Sequence, residues 1–179
     1  MMDYIEKDSL KKTRRVVLRT SSILKDIDSL TYKLTDTVNI DGINKDSVAS
    51  DVEESLDGSI LNRLLDARVS NLRKRLSFCL ADETIIEVDN DNTACSEYVF
   101  DFILHKAFKD HNLKVAATMM HDYVVRGTLF DWYTKLGTNI GASLFSEVTA
   151  LESKIVDLFR EPSFVMHSTM FYQPYGRRR

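Results

Sequence analysis

The sequence predicts a mainly α-helical protein, a bundle of about four helices with a small β element and an extended C-terminal arm. Three observations carry that reading. Apolar residues recur three or four positions apart over three long stretches, the spacing that lines one face of a helix. A single short run, YVFDFIL at residues 98–104, is continuously apolar and aromatic between polar flanks, as a strand would be. The residues after Pro162 hold aromatics and arginines with neither period.

Composition bounds the rest. A chain of 179 residues, 44% hydrophobic and 28% charged, suits one globular domain. Residues 1–161 form that domain, with long loops at 33–51 and 82–97, and residues 162–179 form the arm. A net charge of −3 offers no global attraction to nucleic acid. No apolar run reaches the length of a membrane span, and the opening MMDYIEKDSLKKTRR lacks the apolar centre of a signal peptide. Cys79 and Cys95 lack CxxC spacing, so two reduced thiols and synthesis in a cytoplasm are expected.

Taken in order, residues 1–8 read as a loose arm. From Ser9, a possible cap, the residues Val16, Val17, Thr20, Ile23, Leu24, Ile27 and Leu30 predict a first helix. Lys11, Lys12, Arg14, Arg15 and Arg19 make its opening half basic, either as a solvated face or toward an acidic partner or a nucleic-acid backbone. Residues 33–51 alternate weakly, consistent with a short strand or hairpin over 33–43, and then turn polar around Asp41 and Gly42. A connection this long is expected to be either disordered or a binding segment, and if ordered to be held by something outside the chain.

A second helix is expected to begin between Ser55 and Ser59 and run to Leu80, with Leu56, Ile60, Leu61, Leu64, Leu65, Val69, Leu72, Leu76 and Leu80 at near-heptad spacing. That stripe suits the chain's own core or a neighbouring subunit. Ile85, Ile86 and Val88 then suggest a short strand before Asp89, Asn90, Asp91 and Asn92, which lack the glycine and closing glutamate of a calcium loop. The 98–104 strand is expected to pair with residues 84–88 or to add to a neighbouring chain.

Residues 112–160 organise the prediction as two helices folded back on each other. Leu113, Ala116, Ala117, Met120, Tyr123, Val124, Phe130 and Tyr133 stripe the first; Ile140, Leu144, Val148, Leu151, Ile155, Leu158 and Phe159 stripe the second. Gly137 suits the left-handed closing position between them, with Thr138 or Asn139 capping the return helix, and Pro162 limits its extent.

No catalytic, cofactor-binding or metal-binding residue is assigned. The four histidines, His105, His111, His121 and His167, nowhere pair at the spacing that lets one helix face hold zinc. The chain has no GxSxG, phosphate-cradling glycine loop or dinucleotide fingerprint. The His121-Asp122 pair resembles the centre of the HD phosphohydrolases, and that resemblance implies a metal set completed by His105 or His111 and by Asp131 or Asp157. Basic residues at 11–19, 63–75 and 177–179 leave a nucleic-acid-binding helical module as an alternative, though no recognition motif accompanies them. Candidate partner-binding residues are the aromatics and arginines with no period of their own, Phe164, Met166, Phe171, Tyr172, Tyr175, Arg177, Arg178 and Arg179, together with Tyr98, Phe100 and Phe102 of the strand.

The order of parts, in which a helix, a polar loop, the leucine-rich RLLDARVSNLRKRL, YVFDFIL, the hairpin opening MMHDYVVRGTLFDWYTKLG and an arm ending PYGRRR follow one another, resembles the head-to-tail connector or adaptor proteins of tailed phages. The resemblance implies a structural virion protein, made in the host cytoplasm, whose wedge-shaped subunits close a homo-oligomeric ring. Portal and tail proteins are its implied partners, with DNA met only in passage through the ring or by weak contact. A second long helix in the hairpin departs from minimal adaptors and leaves another neck or tail-completion protein open.

Overall fold

The structure is a computed structural model and describes residues 11–37, 59–81, 96–135 and 140–160. Four helices and a two-stranded antiparallel sheet make it up. The elements are β1 (Lys11–Arg19), α1 (Thr20–Thr37), α2 (Ser59–Leu76), β2 (Glu97–His105), α3 (Asp110–Lys135) and α4 (Ile140–Arg160). The mainly helical prediction holds, as do the single strand near 98–104 and the helical pair at 112–160. The arm at 162–179 lies outside the described residues.

α3 is the axis of the fold. The sequence stripe implied one buried side, yet Val125, Thr128, Leu129 and Trp132 are buried as well as Leu113, Ala116, Met120, Tyr123, Val124 and Tyr133. α4, α2 and α1 all pack against it, so few of its faces remain wet. α1 brings Ile23 and Ile27 to the core, and α2 brings Leu61, Leu65, Val69, Leu72 and Leu76. From Leu61 to Leu76 the near-heptad stripe of α2 is thus used within its own chain, while Ile60 is 47% exposed.

The first predicted helix requires correction. Residues 11–19 are a strand, and the helix begins only at Thr20. Lys12, Arg14, Val16 and Leu18 alternate with the more exposed Lys11, Thr13, Arg15, Val17 and Arg19. β-Branched Thr13, Val16 and Val17 fit a pleated surface better than a helix, and burying Val16 and Leu18 against the core requires a period of two. A helix would have gathered the five basic residues near one end; the strand divides them between two faces.

β2 also has a partner that the sequence reading did not name. β2 pairs with β1, with Arg19 opposite Glu97, Val17 opposite Val99, Arg15 opposite Asp101 and Thr13 opposite Ile103. The predicted partner at 84–88 lies outside the described residues. Three boundaries move too. Residues 33–37 are the end of α1 rather than a strand or loop, and Glu97 belongs to β2 rather than to the loop before it. α2 stops at Leu76 instead of Leu80, because the next turn closes by a Cys79 N–H bond to the Leu76 carbonyl. The chain then runs beside β2, where the Ile103 N–H donates to the Cys79 carbonyl and the Ala81 N–H to the Asp101 carbonyl.

Candidate assembly surface

The sheet has one dry and one wet face. Val16, Leu18, Tyr98, Phe100, Phe102 and Leu104 point inward and are at most 5% exposed. Phe102 stacks on Phe159 of α4 at 4.6 Å between ring centres, and Phe108 stacks on the same ring at 5.7 Å. The Arg73 guanidinium lies 5.2 Å from the centre of Phe100 and donates to the Val99 carbonyl. The Tyr98 hydroxyl donates to Asp66 of α2. Tyr98, Phe100 and Phe102, expected to meet a partner, are therefore occupied within their own core. The other expected partner-binding residues, Phe164 to Arg179, lie outside the described residues.

The wet face is what sequence reasoning missed. Val17 and Ile103 are 40% and 41% exposed, and Val17 stands beside the partly buried Val99. Arg15 grips Asp101 through two hydrogen bonds of 2.7 and 2.9 Å, and Arg19 pairs with Glu97 at 3.3 Å. The Arg15 hydrogen bond and charge hold the Asp101 carboxyl below its ordinary value, while Asp101 raises Arg15. On the other face, at the far end of β1, Lys12 and Arg14 share Asp110 at the start of α3, and their hydrogen bonds lower its carboxyl to about 2. The missed signal was the alternation in KKTRRVVLR and the acidic residues spaced to answer it in EYVFD.

A second apolar surface lies across the molecule. Phe145, near the start of α4, is 56% exposed and rests against Phe130 of α3, with 5.6 Å between ring centres. Phe145 and Phe159 are on the same helix, and a rise of 1.5 Å per residue separates them by about 21 Å. The first thus marks the end of the bundle away from the ring that packs on the sheet.

The candidate phosphohydrolase residues are not brought together. His121 Nε2 lies 2.7 Å from Asp26 Oδ2 on α1, beside a shallow cavity of about 490 Å³ that Arg19, Ser22 and Thr118 help line. Asp131 is held by Arg68, and His105 Nδ1 accepts from the Ala107 N–H. No cluster of three or more His, Cys, Asp or Glu side chains suited to a metal ion occurs among the described residues. Burial pushes the Cys79 thiol up to about 12, far from the thiolate that nucleophilic chemistry uses. No helix among the described residues is long and apolar enough to cross a membrane. The chain matches no family model, no curated protein and no solved structure.

Proposed function

We propose that this chain is a structural assembly protein, a ring-forming head-to-tail connector subunit that joins portal to tail components in a tailed-phage virion. The observation that carries the reading is apolar exposure at two separated places, Val17 and Ile103 on the outer face of the sheet, with the Arg15–Asp101 pair between them, and Phe145 at the far end of α4. Unlike patches at different ends of a subunit suit a heterologous interface, and such an interface forms a ring when its rotation closes. The resemblance in the order of parts supplies the virion setting.

A nucleic-acid module fits less well. Lys12 and Arg14 meet Asp110, Arg15 meets Asp101 and Arg19 meets Glu97, so these cations of β1 are set among carboxylates rather than in an open row along which a phosphate backbone could lie. Native mass spectrometry with negative-stain microscopy tests the reading. A discrete closed oligomer, weakened by Val17→Lys or Phe145→Glu, is the expected result. A monomer at every concentration, or assembly only on added DNA, would overturn it.

A further inference from the structure

We propose that the outer edge of β1 is a docking site for one extended segment, residues 83–87 of a neighbouring copy of this chain. The inference rests on the assembly reading above and specifies how one subunit holds the next.

The backbone shows which groups await a partner. The Thr20 N–H donates to the Ser96 carbonyl, so in an antiparallel ladder the even-numbered residues of β1 direct their peptide groups toward β2. β2 is consistent with this, since its odd-numbered Asp101 and Ile103 bond on the opposite side, to Ala81 and Cys79. The N–H and C=O groups of Thr13, Arg15 and Val17 consequently face away from β2. Among these three residues, the Thr13 carbonyl accepts from the Arg14 guanidinium. An edge of this kind is a template for a further strand.

The side chains then select the strand. A second β1 is a poor candidate, because it would set five cations against five. The strand that β1 already accepts on its other edge is the guide. β2 places Glu97 opposite Arg19 and Asp101 opposite Arg15, with Val99 opposite Val17 between them. Residues 83–87 read Glu, Thr, Ile, Ile, Glu and repeat that spacing of acid, apolar and acid at alternate positions. Seated antiparallel, Glu83 would stand opposite Arg19, Ile85 opposite Val17 and Glu87 opposite Arg15. Ile85 would extend the Val99 and Val17 row across a third strand, covering Val17, which is 40% exposed in the lone subunit. One subunit offers an edge and the next offers a strand, which makes the contact heterologous, as a ring requires.

The test uses the full chain and reads hydrogen exchange at the Thr13, Arg15 and Val17 amides, which the β2 ladder does not protect. Protection that rises with protein concentration and is lost in E83K/E87K is expected, with the Val16 and Leu18 amides unchanged as a control for folding. A labelled peptide of residues 82–89 should bind the E83K/E87K chain, and the same peptide carrying E83Q and E87Q should bind about fivefold more weakly, as two solvent-exposed ion pairs would imply. Protection independent of concentration, no protection, or equal binding of the two peptides would each overturn the inference. Oligomers unchanged by E83K/E87K would overturn it and leave the ring reading standing, whereas a wild-type chain that is always monomeric would overturn both.

Discussion

Two arginine–aspartate forks in this protein have nearly the same geometry and differ in the setting of the arginine. On the sheet, Arg15 holds Asp101 with side chains 65% and 24% exposed. Between α2 and α3, Arg68 holds Asp131 through bonds of 2.6 and 2.5 Å with side chains 13% and 27% exposed. The second guanidinium also donates to the Gly127 carbonyl and lies 5.4 Å from the centre of Phe130. Burial alone would lower the Arg68 pKa, yet its hydrogen bonds and charge interactions with Asp131 and Tyr123 raise it. The contrast separates two uses of one chemistry. The exposed fork orders side chains on a surface that water screens, and the half-buried fork fixes how two helices cross.

Arg68→Ala is the harshest test of that contrast. It strands Asp131 and empties the space over Gly127, and removing one partner of a largely desolvated pair should cost about 3 kcal/mol in urea unfolding. Arg15→Ala should leave the midpoint nearly unchanged, since the Arg15 side chain is 65% exposed and an ion pair screened by water contributes little. Equal losses in the two variants would show that the forks do not differ in the way their burial implies.

A smaller effect sharpens the same comparison. A Cβ at Gly127 would lie 2.8 Å from Arg68 Cδ and 3.0 Å from its Nε, so the glycine is the floor on which the guanidinium stem rests. Gly127→Ala improves helix propensity by about 1 kcal/mol but displaces a side chain held at its tip by Asp131 and Phe130. A net loss of about 1 kcal/mol is expected in the native background. In the Arg68→Ala background the sign should reverse, a coupling of about 2 kcal/mol in a double-mutant cycle. Additive effects would mean that the close approach imposes no constraint.

The helical fold was legible because its signals are local. The stripes of α2 and α4 and the aromatic run of β2 each state their own period. What escaped was decided by partners distant in sequence. Residues 16–30 can be read as one helical stripe, and only Thr20 onward obeys it, because β2, some eighty residues later, claims Val16 and Leu18 for a sheet. Tyr98, Phe100 and Phe102 looked like contact residues because aromatic side chains concentrate binding energy, but Phe159 and Arg73 arrive from other helices to cover them. The outward Val17 and Ile103 were missed for a related reason. Their exposure follows from the two-residue alternation in each strand, which for Val17 was masked by the helical stripe that its neighbours also fit.

The gentlest probe of the comparison is acid, since it acts on exposed pairs without removing atoms. Asp110, bonded by Lys12 and Arg14, has its folded-state pKa lowered to about 2, below the ordinary aspartate value of about 3.9. Between those values the unfolded chain binds the proton first, so stability contributed by this group is complete above the unfolded pKa and falls away as pH drops toward 2. Asp101, lowered by the hydrogen bond from Arg15, adds a loss of the same sign. Asp110→Asn keeps a side chain suited to the start of α3 while removing the charge. Its melting temperature should therefore decline less steeply than that of the native chain between about pH 4 and 2, and the two profiles should run parallel above about pH 5. Parallel profiles throughout would mean that the link from β1 to α3 contributes nothing through charge, leaving the sheet tied to the bundle by contacts such as Phe102 on Phe159, Arg73 on Phe100 and Tyr98 at Asp66.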